Sequence, residues 1–281
     1  MVSNAWSPNI KDKVFLVTGG AAGVGAAVVR SLLADDARCV VFLDVLDREG
    51  TALETELLQK FGALQAKFIK CDISDENQLE VAFRQVLDKY RKLDVVINNA
   101  AILGVDKLFK KMIDINFTAT VSCTIKALEI MSEETGGCGG TVLNLSSMLA
   151  LKHHSHLPVY SATKAAVLQF SNSLGTEEYY SKTKVRVMTV CLGPTDTAIL
   201  QRQNLENFDK DCTSLASRVP VRQSVESAAK GIIEVIKYGT AGSAWVVVDE
   251  KPPKDISKNL KDAFSSLPRD ATGVLKPEPA E

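Results

Sequence analysis

Short apolar segments alternate with longer amphipathic segments along most of this 281-residue chain. The short segments lack a polar face, which is typical of strands that are buried on both sides of a parallel sheet. Amphipathic helices between such strands cover the two faces of the sheet. We therefore predict one α/β domain with a doubly wound parallel sheet of about seven strands, at 13–18, 38–43, 66–71, 94–97, 140–146, 184–191 and 244–248.

The same pattern predicts the helices, one long loop and the end of the domain. Helices are predicted at 23–34, 49–61, 75–91, 110–134, 158–180 and 225–238. The segment 195–223 lacks a strand signal, and we expect it to form a mobile lid over the substrate. Lys, Pro, Asp and Ser become frequent after residue 249. The domain is therefore expected to span 1–249, and residues 250–281 to form a polar tail that is mostly disordered or draped on the surface.

The charged residues and cysteines limit which binding partners and which cellular compartment we expect for this protein. The chain has 33 Lys and Arg against 34 Asp and Glu, and a net charge of −1 argues against nucleic acid or an anionic membrane surface as a partner. No apolar run approaches the roughly 18 residues that span a bilayer. The first eight residues lack the basic and apolar regions of a secretory signal, and the six cysteines are scattered without a CxxC pair. We expect a reduced, cytoplasmic compartment.

A glycine-rich turn follows the first predicted strand and opens the first predicted helix. Its sequence is Thr18-Gly-Gly-Ala-Ala-Gly-Val-Gly25. Gly19 can turn sharply, Gly23 lets the backbone approach a pyrophosphate, and Gly25 allows the helix and strand to pack closely. The free N–H groups of the helix N-terminus favour an anion. The turn, including Val24, is therefore predicted to bind a dinucleotide.

An acidic residue, Asp44, ends the second predicted strand, 19 residues after Gly25. A carboxylate at this place can accept hydrogen bonds from both hydroxyls of an adenosine ribose, and it repels a 2′-phosphate. Neither Ala21 and Ala22 nor Val45 supplies the cation that NADP requires. The sequence therefore favours NAD, the alternative being an ordinary solvated acid at a strand end.

Tyr160 and Lys164 stand four residues apart at the start of a predicted helix, and therefore on one face of it. A free phenol has a pKa of about 10, too high for a base near neutrality. A nearby ammonium group and a positively charged nicotinamide ring favour the phenolate and lower that pKa. Ser147, 13 residues before Tyr160 and at the end of the fifth strand, can hold a substrate oxygen beside the phenol. Tyr160 is therefore predicted to be an acid/base.

A second Tyr-x-x-x-Lys pair, Tyr180 with Lys184, straddles the end of a predicted helix. The residue 13 positions before Tyr180 is Val167, which has no hydroxyl. We interpret this second pair as structural.

Taken together, these motifs resemble the short-chain dehydrogenase/reductase family. The resemblance covers about residues 11–249 and is carried by the glycine turn, Asn98-Asn-Ala-Ala101, Asn116, Ser147 and Tyr160 with Lys164. Asp44 and the run 192–200 resemble the NAD-dependent 15-hydroxyprostaglandin dehydrogenase-like branch, which has insect-type alcohol dehydrogenases as near relatives.

The resemblance implies a Rossmann fold and an oxidoreductase that transfers a hydride between NAD and a small-molecule secondary alcohol or ketone. In the family pattern Asn116 anchors a water of a proton relay, Ser147 orients the substrate and Tyr160 is the acid/base. Lys164 holds the nicotinamide ribose and tunes the tyrosine. The resemblance also implies a homodimer or homotetramer formed through the helices near 110–134 and 158–180.

Further cofactor contacts are implied by position in the family pattern. Asp72, followed by Ile73, matches the adenine contact, Asn98 and Ala100 line the cofactor, and Thr197 contacts its carboxamide. The chain departs from the pattern in two places. An alanine follows Ala100 where glycine is usual, and Leu-Gly replaces the usual Pro-Gly after the sixth strand.

Two alternative functions remain open. One is a catalytically silent NAD-binding scaffold or storage protein on the same fold, against which the intact Ser147, Tyr160 and Lys164 argue. The other is a carbonyl reductase, which Asp44 disfavours because intracellular NAD is mostly oxidised. The three histidines within 152–156 can bind a metal in principle. No acidic or thiol ligand lies near them in sequence, so we expect no metal and favour a place for this loop at the substrate cleft.

Overall fold

The computed structural model describes residues 9–104, 106–152, 157–200 and 222–266. The three histidines and residues 201–221 of the predicted lid lie outside the described residues. Residues 267–281 of the predicted tail also lie outside them.

One sheet contains all eight strands of the described residues. Their bounds are β1 Val14–Thr18, β2 Cys39–Asp44, β3 Ala66–Lys70, β4 Val95–Asn98, β5 Gly140–Ser147, β6 Val185–Leu192, β7 Ala244–Val247 and β8 Lys254–Asp255. The order across the sheet is β3-β2-β1-β4-β5-β6-β7-β8. Every neighbouring pair is parallel except β7 with β8. The predicted doubly wound α/β fold is confirmed.

The helices cover both faces of the sheet. Their bounds are α1 Gly23–Ala34, α2 Asp47–Phe61, α3 Glu76–Tyr90, α4 Phe109–Ile113, α5 Ala119–Met131, α6 Pro158–Leu174, α7 Glu177–Thr183, α8 Val225–Tyr238 and α9 Ser257–Ser265. Helices α1, α2 and α8 pack against one face, and α3 and α5 against the other. Because both faces are covered, β1 and β5 are buried at every position. This burial explains the apolar run 14–17 of β1, whereas β5 also buries polar residues such as Asn144. No helix in the described part of the chain has the length and hydropathy to cross a bilayer.

Two predicted helices are interrupted in the structure. The predicted helix at 110–134 contains a π turn at Asp114–Thr118 and ends at Met131. The predicted helix at 158–180 ends at Gly175, and α7 begins two residues later. Gly175 packs so closely on Gly242 that a Cβ would lie 2.2 Å from the Cα of Gly242. Tertiary packing at this glycine therefore ends α6 where helical periodicity alone continues.

The beginning of the predicted tail contains strand β8 and helix α9, which has no fully buried residue. After two residues with positive φ, Asp249 and Glu250, the chain returns and β8 pairs antiparallel with β7. Ile256 and Leu260 then pack against the apolar cluster that contains Leu168. A strand of two residues that follows two prolines carries no periodic signal, so the sequence did not predict it.

The site is positioned by the point at which the strand order reverses. From β1 the chain proceeds outward to β2 and β3, whereas from β4 it proceeds to β7 on the other side. The connections that leave the carboxyl ends of β1 and β4 therefore diverge, and a crevice forms between them.

Candidate active site

A cavity of about 530 Å³ lies at the carboxyl ends of the parallel strands. It brings together most of the residues predicted for the site: Gly19, Gly23, Val24, Gly25, Asp44, Asp72, Ile73, Ala100, Ser147, Tyr160, Lys164 and Thr197. Asn98 and Asn116 do not line it. Residues that are far apart in sequence meet here because their strands end at the same edge of the sheet.

The glycine turn forms a cradle that side chains cannot enter. Gly19 and Gly23 have φ of +65° and +53°, in the left-handed region. A Cβ on Gly25 would lie 2.0 Å from the carbonyl oxygen of Gly19. The turn therefore requires glycine for conformation at two positions and for close packing at the third. This bare backbone at the start of α1 fits a pyrophosphate.

The structure corrects the expectation that Asn98 lines the cofactor site. Asn98 ends β4 in register with Asn144 of β5, and its buried amide donates to Oδ1 of Asn144 (2.8 Å) and Oγ1 of Thr124 (3.0 Å). Side chains of consecutive strand residues point to opposite faces of the sheet. The residue after Asn98 therefore faces the cavity instead.

That residue is Asn99, which the sequence motifs did not assign to the site. Its Nδ2 donates to the carbonyl oxygens of Thr18 and Gly19, both at 2.9 Å. Its backbone N–H donates to Oγ1 of Thr18 at 3.0 Å. Asn99 thus ties the turn after β4 to the glycine turn after β1. The sequence signal was present in the Asn98-Asn-Ala-Ala101 motif, but the motif alone does not tell which asparagine faces the cavity.

Asp44 lies at the end of the cavity where the adenosine is expected. Its Oδ2 accepts from the N–H of Ala21 (3.0 Å) and its Oδ1 from the N–H of Leu46 (3.1 Å). Among the described residues that line the cavity, Lys164 is the only lysine or arginine, and it lies beside Tyr160. The adenosine end therefore carries a carboxylate and, within the described lining, no cation.

Ser147 and Tyr160 lie on the same wall at the other end of the cavity. Ser147 ends β5, and Tyr160 lies in the first turn of α6. Lys164, one turn further along α6, places its Nζ 5.9 Å from the centre of the Tyr160 ring. The Nζ donates to the carbonyl oxygen of Leu145 at 2.9 Å. A phenol, a hydroxyl and a buried amine therefore share one wall of the cavity.

Burial favours the neutral forms of both titratable groups on this wall. It raises the pKa of Tyr160 to about 12, although the nearby hydroxyl of Ser147 favours the phenolate. It lowers the pKa of Lys164 to about 8. A phenolate therefore becomes accessible near neutral pH only when further positive charge is brought to the cavity.

Asn116 lies in the π turn behind this wall, and its side chain is fully buried. Its Oδ1 accepts from the N–H of Ile102 (2.8 Å), and its Nδ2 donates to the carbonyl oxygen of Ile102 (2.9 Å) and, at 3.4 Å, to Oγ1 of Thr163. Oγ1 of Thr163 in turn donates to the carbonyl oxygen of Tyr160 at 2.8 Å. Asn116 therefore joins the loop after β4 to the helical turn that carries the phenol.

The second tyrosine–lysine pair has a different setting. Lys184 follows the end of α7 in a left-handed conformation (φ 55°), and its Nζ lies 5.9 Å from the centre of the Tyr180 ring. This distance equals that in the first pair, but neither Tyr180 nor Lys184 lines the cavity. Position in the fold, rather than pair geometry, separates the two motifs.

The fold and this site define a class of oxidoreductase, and sequence comparison identifies it. The sequence model of the family described as short chain dehydrogenase matches residues 13–207. The chain belongs to this family and is an oxidoreductase. The family resemblance found in the motifs is confirmed, and family membership supports a nicotinamide cofactor.

Two similar proteins indicate which members of the family this chain resembles. The chain is 35% identical to 15-hydroxyprostaglandin dehydrogenase [NAD(+)] of Macaca fascicularis over 193 residues, which cover 69% of this chain and 72% of that protein. It is 30% identical to alcohol dehydrogenase 2 of Ceratitis cosyra over 260 residues, which cover 86% of this chain and 98% of that protein. The predicted resemblance to these two groups is therefore confirmed.

Solved structures show the same fold. Levodione reductase superposes with a TM-score of 0.71 at 23% identity, over 84% of this chain and 95% of that chain. NADPH-dependent 3-quinuclidinone reductase from Rhodotorula rubra also gives a TM-score of 0.71, at 21% identity, over 85% and 91% of the two chains.

Proposed function

We propose that this protein is an NAD-dependent dehydrogenase that oxidises secondary alcohols to ketones, with Tyr160 as the acid/base. The observation behind it is that Ser147 and Tyr160, with the amine of Lys164 beside the phenol ring, line the same cavity as the glycine turn and Asp44.

Each residue has a task that follows from its position. The glycine turn binds the pyrophosphate, Asp44 the adenosine ribose and Thr197 the carboxamide side. The bound nicotinamide supplies the hydride acceptor and a positive charge. The phenolate of Tyr160 takes the hydroxyl proton while Ser147 holds the oxygen, so the alcohol loses a hydride and a proton and becomes a ketone. Lys164 holds the nicotinamide ribose, and its ammonium form stabilises the phenolate.

The proton on Tyr160 must then leave, and we assign Lys164 and Asn116 to its passage to water. Both polar atoms of the Asn116 side chain already have partners on Ile102. The group proposed to hold the relay water is the backbone carbonyl of Asn116 in the π turn, which accepts from Oγ1 of Thr120 at 3.1 Å and has a second lone pair for a water.

The walls near Ser147 and Tyr160 favour a substrate with an apolar body. The described apolar side chains that line the cavity include Ile102, Leu103, Met148, Leu149, Leu157, Ile199 and Leu200. The names of the relatives, an NAD-dependent hydroxyprostaglandin dehydrogenase and an alcohol dehydrogenase, agree with oxidation of an alcohol.

A turnover screen tests the proposed function. The purified protein should form NADH when it is given NAD and a secondary alcohol with an apolar chain. A silent scaffold would bind NAD without turnover against any alcohol or ketone. A carbonyl reductase would consume NADPH with ketones and show little alcohol oxidation with NAD.

The cofactor preference gives a first prediction. NAD should bind at least about 10-fold more tightly than NADP, a difference of about 1.4 kcal/mol. The physical reason is repulsion between the carboxylate of Asp44 and a 2′-phosphate, with no described lysine or arginine at this end of the cavity to offset it. The Asp44→Ala variant should reduce the difference, measured by titration of each variant with both cofactors.

Asp47 offers a matched control for that substitution. It begins α2 near Asp44, does not line the cavity, and forms an exposed ion pair with Lys70. The Asp47→Ala variant should keep the native preference. Comparable affinities of the native protein for NAD and NADP would contradict the assignment of Asp44.

The proposal includes a homodimer or homotetramer formed through α5 and α6. Part of the apolar surface of α6 faces its own sheet, because Leu168 packs beside Cys191 and Ala244. Phe170 is half-buried, and its ring packs edge-on against Phe117 at 6.3 Å, while Ile125 on α5 is 46% exposed. Light scattering at micromolar concentration should give at least twice the mass of one chain, and a monomer would refute the assembly.

We also propose a cytoplasmic location. The five cysteines within the described residues are all free, which agrees with a reducing compartment. Cell fractionation of the tagged full chain should recover it with cytosolic markers, and recovery with another compartment would contradict this assignment.

A further inference from the structure

The loop that follows β6, residues 193–200, closes one side of the cavity, and a residue outside the cavity fixes its path. Thr195 and Thr197 both line the cavity. Thr197 faces the glycine turn, since a Cβ built on Gly23 would lie 3.2 Å from Cγ2 of Thr197. A small shift of this loop therefore changes the space in which the cofactor must lie.

Gln223 makes four hydrogen bonds that hold this loop. Its backbone N–H donates to the carbonyl oxygen of Pro194, and its own carbonyl oxygen accepts from the N–H of Asp196, both at 2.9 Å. Its side-chain Nε2 donates to Oγ1 of Thr195 at 3.1 Å and to the carbonyl oxygen of Val247 at 3.0 Å. Gln223 is 1% exposed and does not line the cavity.

The side-chain amide supplies two N–H donors at this position, while its Oε1 is buried with no hydrogen-bond partner among the described residues. A carbonyl oxygen can only accept, so the amide nitrogen must face Val247, and its second hydrogen is then directed to Thr195. The hydroxyl of Thr195 accepts this bond and donates to the carbonyl oxygen of Gly193 at 3.0 Å. One chain of hydrogen bonds therefore connects β7 to the start of the loop.

The chain that follows Gln223 is held by a packed helix. The next residue, Ser224, is the N-cap of α8, and its hydroxyl accepts from the N–H of Ser227 at 3.1 Å. Helix α8 packs its buried apolar face into the core beside α1. Gln223 therefore links the loop that faces the cofactor to a fixed helix and a fixed strand.

We infer that Gln223 is a positioning residue for the cofactor: it acts through Thr195 to set the path of the loop that carries Thr197, and thereby the affinity for NAD. This inference rests on the proposed function. It assigns a role in cofactor binding to a buried glutamine that does not touch the cavity.

The test compares Gln223→Met, an unbranched replacement of similar length without donors, with Thr195→Val. Gln223→Met should raise the Kd and the KM for NAD about 5- to 10-fold, the scale of one or two lost hydrogen bonds, with a smaller change in kcat. Thr195→Val should raise the Kd about 2- to 5-fold. The double variant should lose less affinity than the two single losses added together, because both substitutions remove the Gln223–Thr195 contact.

Thr141→Val is the matched control. Thr141 is a buried threonine near the opposite end of β5, where its hydroxyl accepts from Arg186. This variant should lose thermal stability while its Kd for NAD stays within about 2-fold of the native value. Loss of stability in Gln223→Met with an unchanged Kd for NAD would overturn the inference, because Gln223 would then be merely structural.

Hydrogen exchange without cofactor separates this inference from the proposed function. The amides of Asp196 and Leu200 should exchange faster in Gln223→Met than in the native protein, and should be unchanged in Thr141→Val. If the native chain bound neither NAD nor NADP, the proposed function would fail, and faster exchange would still show that Gln223 holds the loop. Unchanged exchange at both amides would refute the role of Gln223 whatever the cofactor.

Discussion

Replacing Tyr160 with Phe should lower turnover by about 10²-fold or more, the usual scale for loss of a general acid/base, and leave NAD affinity nearly unchanged. The substitution keeps the ring in the first turn of α6 and removes only the hydroxyl group. Lys164 keeps its bond to the carbonyl oxygen of Leu145, so the cofactor site should remain intact. Steady-state kinetics with a secondary alcohol, together with NAD titration, measure both quantities.

Tyr180→Phe is the control for this substitution. Tyr180 has a lysine at the same ring distance as Tyr160, but it does not line the cavity. Its turnover should stay within a few-fold of the native value. An active Tyr160→Phe variant together with an inactive Tyr180→Phe variant would contradict the mechanism.

The pH dependence of turnover should also report on Tyr160. Burial raises the pKa of this phenol to about 12 when the cavity holds no further charge. The positive charges of the nicotinamide ring and of Lys164 stabilise the phenolate, so the limiting group in kcat should titrate below about 10, the value of a free tyrosine. Alcohol oxidation should rise with pH until this group is deprotonated and then level off.

Replacing Lys164 with Met should remove most activity and at the same time stabilise the protein without cofactor. The activity loss, about 10²-fold with weaker NAD binding, follows because one ammonium group is assigned both to the ribose and to the phenolate. The stability gain follows because burial lowers the pKa of this lysine from its ordinary value of 10.5 to about 8. Such a difference corresponds to roughly 3 kcal/mol of unfavourable burial of charge. Loss of the hydrogen bond to Leu145 offsets roughly 1 kcal/mol of it.

The sign of the pH dependence follows from the same pKa. Below pH 8 the lysine is charged in both the folded and the unfolded state, and the cost of burying the charge is fully present. Between about 8 and 10.5 the unfolded chain binds the proton more tightly, so the native protein gains stability as the pH rises. In urea unfolding, Lys164→Met should therefore be more stable by about 2 kcal/mol at pH 7, and this advantage should shrink towards pH 10.

Lys184→Met serves as the control, because Lys184 is exposed and follows the end of α7. It should change neither turnover nor the pH dependence of stability. A Lys164→Met variant that is less stable than the native protein at pH 7 would contradict the assignment of a costly buried amine.

The sequence predicted the parts of the fold that depend on burial from both faces. The inner strands are mostly apolar because helices cover both sides of the sheet. The glycine turn is recognisable in the sequence because side chains do not fit at its glycines. The two-residue strand β8 was missed because nothing in so short a segment repeats. The break of α6 at Gly175 depends on contact with Gly242, which is distant in sequence.

The sequence also predicted part of the candidate site. Motif spacing correctly located Ser147, Tyr160 and Lys164 at one cavity. It wrongly assigned the cofactor contact to Asn98 instead of Asn99. The direction of a side chain at a strand end depends on the register with the next strand, which the motif does not show. Gln223 belongs to no motif, and its importance is visible only where its amide meets two other segments of the chain.

Deuterium transfer from a labelled alcohol tests the central claim most directly. The native protein is incubated with NAD and a secondary alcohol that carries deuterium on the carbinol carbon, and the reduced cofactor is analysed by mass spectrometry and NMR. We expect one deuterium at C4 of the nicotinamide, in an amount equal to the ketone formed, and about 10²-fold slower formation in Tyr160→Phe. Absence of reduced cofactor with every alcohol tested, or reduced cofactor without deuterium, would contradict hydride transfer at this site.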